Sequence, residues 1–278
     1  MSYRTIKLVV EADLATLTLN RPDKRNAISA QMVDELLAAL DEVERSRTRV
    51  LILTGAGKAF CAGMDLEALK ALAEESAHSL LESKGPKDAL AHSSEAHIAD
   101  SRRTASIFRR IYTFPKPLIA AVNGPAIAGG CGIATLCDYT LAVPDATFGY
   151  TEVRIGFIPA LVSVFLIRQI GEKRARDLLL SGRLVDAGEA RQLGLVTEVV
   201  PPERLMERAR EMAGTLLEVS PTSLTYIKRL LRESSERELD HELEIAIHEN
   251  ARIRSTADFR EGLTAFLEKR KPQWRGGE

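Results

Sequence analysis

The sequence lacks the features that mark membrane, secreted and disulfide-bonded proteins. No apolar run reaches the roughly 18–20 residues that a membrane-spanning helix needs. The first residues, Met1 to Thr5, do not contain the apolar segment of a signal peptide. The three cysteines, Cys61, Cys131 and Cys137, are odd in number and lie in apolar or glycine-rich surroundings. We therefore expect a cytoplasmic protein whose thiols are reduced.

A strong net charge and the spacing of metal ligands are also missing. The 38 basic residues nearly balance the 39 acidic ones, and a formal charge of −1 gives no electrostatic signature of binding to nucleic acid or to a membrane surface. The five histidines do not form a ligand pattern with cysteines or carboxylates, so no metal is expected. With 45% hydrophobic and 28% charged residues in 278, the composition is that of a globular protein of one large or two modest domains.

What the sequence does contain, up to about residue 200, is an alternation of strand-like and helix-like segments. The strand-like segments are Thr5–Val10 and Leu14–Leu19, which form a hairpin, and then Val50–Thr54, Leu118–Val122 and Tyr139–Val143. Between the strand-like segments Leu14–Leu19 and Val50–Thr54, apolar residues recur every three or four positions from Met32 to Val43. This spacing predicts an amphipathic helix. This alternation predicts an α/β fold with a parallel sheet. The Ser-, Glu- and Ala-rich segment 74–95 contains Gly85-Pro86 and is predicted to be a mobile loop beside the site.

After residue 200 the pattern becomes helical throughout. Pro201-Pro202 is followed by several apolar stripes at helical spacing, the first of them formed by Leu205, Ala209, Met212 and Leu216. So many apolar faces in a short segment predict burial against the core and against other subunits. We therefore divide the chain into an α/β core, residues 1–200, and a helical oligomerisation region, residues 201–278.

Two glycine-rich loops are the most informative feature of the chain. The loop at 57–65 follows strand 50–54, and the loop at 123–132 follows strand 118–122. Each loop leads into a predicted helix, where backbone N–H groups without intrahelical partners collect. Two such donors that converge on one oxygen form an oxyanion hole, which indicates chemistry at a carbonyl group. Glu152 follows the second loop.

Several ordered motifs resemble the crotonase (enoyl-CoA hydratase/isomerase) superfamily. They are Leu19–Ala27, Lys58–Leu66, Asn123–Asp138, Phe148–Glu152, Ala187–Ala190 with Gly194–Val196, and Glu261–Arg270. The resemblance implies a core built as a spiral of ββα turns and a C-terminal helical trimerisation region. It also implies an acyl-CoA thioester substrate, no cofactor other than the CoA of the substrate, and a homotrimer or a dimer of trimers.

The resemblance also implies roles for individual residues. The backbone N–H groups of Met64 and Gly129 are the expected oxyanion donors, and Glu152 is the expected proton-transferring carboxylate. The residues expected to contact CoA are Lys24, Arg25, Ala27, Ala62, Asp65, Phe266 and Lys269, the last two supplied by the tail of this or a neighbouring subunit. The acyl pocket is expected among residues 68–90, around Tyr150 and among residues 157–165.

The chain departs from the family at Gly132, where two-glutamate hydratases have their second glutamate. With Glu152 alone, either hydration or double-bond isomerisation is chemically feasible. The sequence around Gly132 and Glu152–Ser163 is similar to bacterial methylglutaconyl-CoA hydratase-type members, which favours hydration. The alternatives are an enoyl-CoA isomerase, another crotonase reaction such as thioester hydrolysis or decarboxylation, and a non-catalytic acyl-CoA-binding or RNA-associated protein. Arg154 is interpreted as part of a surface or interface ion pair rather than as a ligand of a substrate carboxylate.

Overall fold

The computed structural model describes residues 3–71, 86–233 and 236–274. The strands are β1 Ile6–Glu11, β2 Leu14–Leu19, β3 Val50–Gly55, β4 Leu118–Val122, β5 Ala126–Ile127, β6 Tyr139–Ala142, β7 Thr147–Gly149, β8 Val185–Asp186 and β9 Glu198–Val199. The helices are α1 Ala30–Arg45, α2 Pro86–Tyr112, α3 Gly129–Thr135, α4 Ala160–Ile170, α5 Glu172–Ser181, α6 Ala187–Leu193, α7 Leu205–Leu217, α8 Pro221–Glu233, α9 Glu236–Ile253 and α10 Ala257–Leu267. Short 3-10 turns span Pro22–Lys24, Glu152–Ile155 and Pro202–Arg204.

The main sheet has the strand order β1-β2-β3-β4-β6-β9. Strands β1 and β2 pair in antiparallel fashion as the predicted hairpin, and the other pairs of this sheet are parallel. Every residue of β4, and all of β3 except Gly55, is buried. This explains their continuous apolar sequence, because a central parallel strand is covered on both faces. The predicted α/β class is confirmed. A second, smaller sheet has the order β5-β7-β8.

Helix α1 shows why the predicted apolar face is stable. Ser29 caps its first turn by accepting a hydrogen bond from the backbone N–H of Met32 at 3.2 Å. Its buried residues follow the helical period, and they are Met32, Val33, Leu36, Ala39, Leu40 and Val43. The sequence pattern therefore located this helix correctly.

The C-terminal region is helical in its described part, as predicted, but its first helix belongs to the main core. Helix α7 packs against β3 and β4, and Leu205, Ala209 and Ala213 are buried in the same apolar cluster as the sheet. The division near residue 200 remains a prediction based on the change of sequence character. None of the helices in the described part of the chain combines the length and the hydropathy that a membrane span requires.

The predicted loop at 74–95 is wrong for its second half. Residues 86–95 form the start of the long helix α2, whereas residues 74–85 lie outside the described part of the chain. Pro86 stands at the first helical position, where the missing N–H has no intrahelical partner to lose. Pro86 therefore marks a helix start rather than the middle of a loop.

Candidate active site

The two glycine-rich loops lie side by side because the strands before them are neighbours. Strands β3 and β4 run parallel, with Leu51 opposite Leu118 and Thr54 opposite Ala121. Both loops therefore leave the sheet at the same edge, at the carboxyl ends of the strands. Ligand sites of open parallel sheets lie at this edge.

Backbone hydrogen bonds fasten one loop to the other. The N–H groups of Phe60 and Cys61 donate to the carbonyl of Pro125 at 3.1 Å, and the N–H of Ile127 donates to the carbonyl of Cys61 at 2.9 Å. Gly63 has a φ of +90°, and a methyl group at this position would lie 2.9 Å from Cβ of Ala128. Only glycine allows so close an approach in this backbone conformation.

The N–H groups of Met64 and Gly129 remain available at this junction. Among the described residues, neither has a hydrogen-bond acceptor, although Gly63 and Asp65 on either side of Met64 both bond to Ile28. Gly129 is the first residue of α3, where an N–H has no intrahelical partner. Ala128, just before it, has a φ of 53°, which is strained for a residue with a side chain. The backbone therefore presents two unpaired donors from adjoining loops.

Glu152 reaches the same place through the second sheet. Strand β7 pairs with β5 of the second loop, with Ile127 opposite Gly149, and the N–H of Ala128 donates to the carbonyl of Gly149 at 2.7 Å. Glu152 begins the 3-10 turn that follows β7. Met64, Gly129 and Glu152 line the same cavity. The structure thus brings the three predicted catalytic positions to one place.

The environment of Glu152 favours a neutral carboxyl group. The residue is only 9% exposed, and its Oε2 has no hydrogen-bond partner among the described residues. Desolvation by burial raises the pKa of Glu152 to about 7. A group with this pKa exists in both protonation states near neutral pH, so it can accept a proton and return it.

This raised pKa predicts a pH-dependent stability. Between the unfolded pKa of about 4.5 and the folded pKa of about 7, the native state holds a proton that the unfolded chain has lost. The free energy of unfolding therefore falls as pH rises through this window. Glu152→Gln removes the ionisation, so the stability of the variant relative to wild type should increase by roughly 1–3 kcal/mol between pH 5 and pH 8. Urea titrations of both proteins at the two pH values measure this difference, and an unchanged difference would contradict the raised pKa.

The wall of the cavity was only partly predicted. The expected segment 157–165 contributes Phe157 to Val162. Tyr150 does not line the cavity and is buried in the core. Residues 72–85 lie outside the described part of the chain. Four lining residues were missed, and they are Thr104 and Phe108 on α2, Asn250 on α9 and Arg254 just after α9. Asn250 and Arg254 belong to the apolar-striped tail, and their polar positions on a buried face were the available signal.

The space expected for a second carboxylate at Gly132 is filled. A methyl group at Gly132 would lie 2.6 Å from Cγ1 of Val162 and 3.3 Å from Cε1 of Phe108. Both of these side chains line the cavity. Among the described residues that line it, Glu152 is the one carboxylate. Apolar side chains therefore fill the space beside Gly132, where the family resemblance would place a second carboxylate.

Most residues expected to contact CoA meet beside the first loop. The N–H of Ala62 donates to the carbonyl of Arg25 at 3.0 Å, which joins the segment containing Lys24 and Ala27 to the loop containing Asp65. Lys24 and Arg25 are exposed. Asp65 is paired with Arg21 at 2.8 Å, and Lys24 is paired with Glu67 at 2.7 Å. The structure thus groups five of the seven predicted positions.

The remaining predicted residues lie elsewhere. Phe266, 57% exposed, and Lys269, also exposed, stand at and just beyond the end of α10 and do not line the cavity. Arg154 is exposed and does not line the cavity either. Burial raises the pKa of the Cys61 and Cys131 thiols to about 12, which keeps both thiols protonated and unsuited to nucleophilic attack.

Comparison with known proteins agrees with this arrangement. Residues 10–277 match the enoyl-CoA hydratase/isomerase family. The chain is 43% identical over 267 residues to a Thermus thermophilus protein named "Putative enoyl-CoA hydratase", covering 96% of this chain and 99% of the relative. It is 34% identical over 274 residues to crotonyl-CoA hydratase of Syntrophomonas wolfei, covering 98% of each.

A solved structure gives the same result for the fold. The crystal structure of an enoyl-CoA hydratase/isomerase from Xanthobacter autotrophicus superposes with a TM-score of 0.81 at 30% identity, covering 96% of this chain and 97% of the other. These similarities extend over nearly the whole length, and they include both loops and the segment of Glu152. The chain therefore belongs to the enoyl-CoA hydratase/isomerase family of the crotonase superfamily and is an enzyme with the crotonase fold.

Proposed function

We propose that this enzyme adds water to a 2-enoyl-CoA thioester through an enolate held in an oxyanion hole. One observation carries the proposal: two unpaired backbone N–H groups and one buried carboxylate of raised pKa belong to the same cavity. The Syntrophomonas wolfei relative is named crotonyl-CoA hydratase, which supports the same reaction class.

The oxyanion hole would act on the thioester carbonyl. The N–H groups of Met64 and Gly129 donate to its oxygen, and negative charge develops there when a nucleophile adds to C3. Each such donor contributes about 3 kcal/mol to transition-state stabilisation when it is preorganised. The loops meet this requirement because hydrogen bonds and the close contact at Gly63 fix their relative position.

Glu152 would carry the proton in both halves of the reaction. Its carboxylate takes a proton from water while the oxygen of that water bonds to C3. The C2=C3 electrons move to C2 and the carbonyl, which gives the enolate. The protonated Glu152 then returns the proton to C2, so that water has been added across the double bond and the carboxylate is restored. A pKa of about 7 suits a group that must perform both steps.

Isomerisation is the second candidate, and the apolar packing at Gly132 favours it. With one carboxylate in the cavity, Glu152 can remove a proton from C2 of a 3-enoyl thioester and deliver it to C4. The intermediate is again an enolate bound by the same two N–H groups. Neither reaction requires a cofactor beyond the CoA of the substrate. The absence of any other cofactor remains a prediction from the sequence.

A purely binding or RNA-associated role leaves the burial of Glu152 without a purpose, because burying a carboxyl group is unfavourable unless it is used. Thioester hydrolysis and decarboxylation would use the same oxyanion hole. Detection of free CoA with a thiol reagent distinguishes hydrolysis from hydration.

The CoA moiety is proposed to lie along the first loop. Lys24 and Arg25 are exposed cations beside Ala27, Ala62 and Asp65, and cations at this position suit phosphate groups. Phe266 and Lys269 are proposed to complete the site from the tail of this or a neighbouring subunit. A cytoplasmic location is proposed from the reduced, buried cysteines.

A homotrimer or dimer of trimers is proposed as the assembly. Helix α8 exposes Tyr226, Ile227 and Leu230, each more than half accessible. Large apolar side chains exposed together on one helix face indicate an interface. Sedimentation analysis of the purified protein measures the assembly, and a monomer at micromolar concentration would contradict it.

Purified protein and two substrates test the proposed reaction. With crotonyl-CoA, hydration removes the absorbance of the conjugated thioester and gives 3-hydroxybutyryl-CoA, which mass spectrometry identifies by the added water. With a 3-enoyl-CoA, isomerisation increases the same absorbance without a change of mass. If neither substrate changes and CoA is not released, the proposed function is wrong.

A further inference from the structure

Three polar side chains line the cavity of Glu152 and have no part in the reaction proposed above. Thr104 lies on α2, Asn250 lies on α9, and Arg254 immediately follows the last residue of α9. All three are buried. The other described lining residues, apart from Glu152 and the loop residues, are apolar side chains from Phe108 and the segment 157–162. One part of the wall of the acyl cavity is therefore formed by polar side chains.

Arg254 is held rigidly at this wall. Its side chain is 3% exposed, its Nη1 donates to Asp100 at 2.7 Å, and its Nη2 donates to Oδ1 of Asn250 at 3.0 Å. The hydroxyl of Ser101 donates to the same Asn250 oxygen at 2.9 Å. These bonds connect α2 to α9 and fix the plane of the guanidinium group.

The same guanidinium is in contact with the cavity wall through Phe157. Its Cζ lies 5.7 Å from the centre of the Phe157 ring, and Phe157 lines the cavity. A cation–π contact attracts the guanidinium to the ring electrostatically and supplies no oxygen acceptor to its N–H groups. The aromatic ring therefore positions the group without satisfying its donors.

One donor of Arg254 has no acceptor. Its Nε–H is buried and lacks a hydrogen-bond partner among the described residues. A purely structural role, in which Arg254 links α2 to the end of α9, explains its bonds to Asp100 and Asn250. It does not explain why the Nε–H of this cavity-lining residue is buried without an acceptor. Buried donors on charged groups are unfavourable when unpaired, so an oxygen acceptor from the substrate would bind there.

We propose that Arg254 is a specificity-determining residue whose Nε–H binds an oxygen at the far end of the acyl group. This inference rests on the proposed function and narrows its substrate class to 2-enoyl-CoA thioesters that end in a carboxylate or a carbonyl oxygen. Asp100 already balances the positive charge of Arg254, so the site requires an acceptor oxygen rather than a negative charge. A hydrocarbon end would displace any bound water and leave the Nε–H unpaired.

The test compares three 2-enoyl-CoA substrates of equal chain length, which end in a methyl group, a methyl ester and a carboxylate. For the wild-type enzyme, kcat/KM for at least one oxygen-ended substrate should exceed that for the methyl-ended substrate by about tenfold or more, because a site that donates a hydrogen bond rejects analogues without an acceptor. The ratio between ester and carboxylate shows which oxygen source is preferred. Equal or better turnover of the methyl-ended substrate overturns the inference.

Variants assign the preference to Arg254. The double variant Asp100→Asn with Arg254→Met removes both charges of the buried pair, so no unpaired charge remains to prevent folding. It should lose the preference while it still hydrates the methyl-ended substrate. Arg252→Met, at an exposed position on α9 two residues before Arg254, should keep the preference. A preference that persists in the folded double variant overturns the role of Arg254.

The result separates this inference from the proposed function. Hydration of the methyl-ended substrate without preference overturns only the role of Arg254. If none of the three substrates is hydrated by the wild-type enzyme, the proposed function itself fails. The wild-type comparison does not depend on the folding of any variant.

Discussion

Glu152→Gln is expected to lower kcat for hydration by about 10²–10⁴-fold, because an amide can neither take the proton of water nor return one to C2. Glutamine has almost the same size and fits the same cavity, and it carries no charge in a site where burial already raises the pKa of the carboxyl group. Substrate affinity should therefore change little. Steady-state kinetics with the preferred enoyl-CoA, together with a calorimetric Kd for the variant, separate the loss of chemistry from a loss of binding.

A matched control is available in a second 3-10 turn. Glu203 lies in the first turn of Pro202–Arg204, as Glu152 does in its own turn, but Glu203 is exposed. Glu203→Gln should retain full activity. A Glu152→Gln enzyme with wild-type kcat would remove the carboxylate from the mechanism. An inactive Glu203→Gln enzyme would show that the assay reports structural damage.

Gly63→Ala is expected to reduce kcat/KM by about 10²-fold or more, because the added methyl group would separate the two loops that carry the oxyanion donors. The methyl would lie 2.9 Å from Cβ of Ala128, 3.0 Å from the carbonyl oxygen of Ile127 and 3.6 Å from the Gly129 nitrogen. A displacement of about 1 Å at a reacting group is enough for a loss of this size. The left-handed φ of +90° adds about 1 kcal/mol of backbone strain to the folded state.

The variant Gly194→Ala distinguishes the effect of backbone strain from the effect of displacing the two loops. Gly194 has nearly the same conformation, with a φ of +91°, but nothing lies within 4 Å of the position of its added methyl group. It ends helix α6. Both variants should lose similar stability from strain in denaturant titrations, and only Gly63→Ala should lose activity. Full activity in a folded Gly63→Ala enzyme would contradict the oxyanion role of the two loops.

The regular elements near the site could be predicted because their signals are local. The buried strands β3 and β4 are continuous apolar runs, and α1 has an apolar residue at every third or fourth position. A glycine-rich loop after a strand and before a helix indicates unpaired N–H groups whatever the remainder of the fold. Periodicity was less useful at 86–95, where the residues after Gly85-Pro86 include the weak helix formers Asp88, His92, Ser93 and Ser94, which hid the start of α2.

The far wall of the cavity could not be predicted from such patterns. Asn250 and Arg254 are nearly 100 residues beyond Glu152 in the printed sequence, and only the packing of α9 against α2 and α4 places them beside it. Their surroundings depend on pairs such as Arg254 with Asp100, which no local rule specifies. The filling of the Gly132 position by Val162 is likewise a contact between different helices.

The sequence by itself determined the class of the fold, the two donor loops and the carboxylate that follows them, because strand and turn propensities act over a few residues. Only the tertiary structure decided that Glu152 is buried with a raised pKa, that apolar side chains fill the space at Gly132, and that Arg254 lines the cavity of Glu152. Desolvation and side-chain packing depend on every element that surrounds a group, and those elements come from distant parts of the chain.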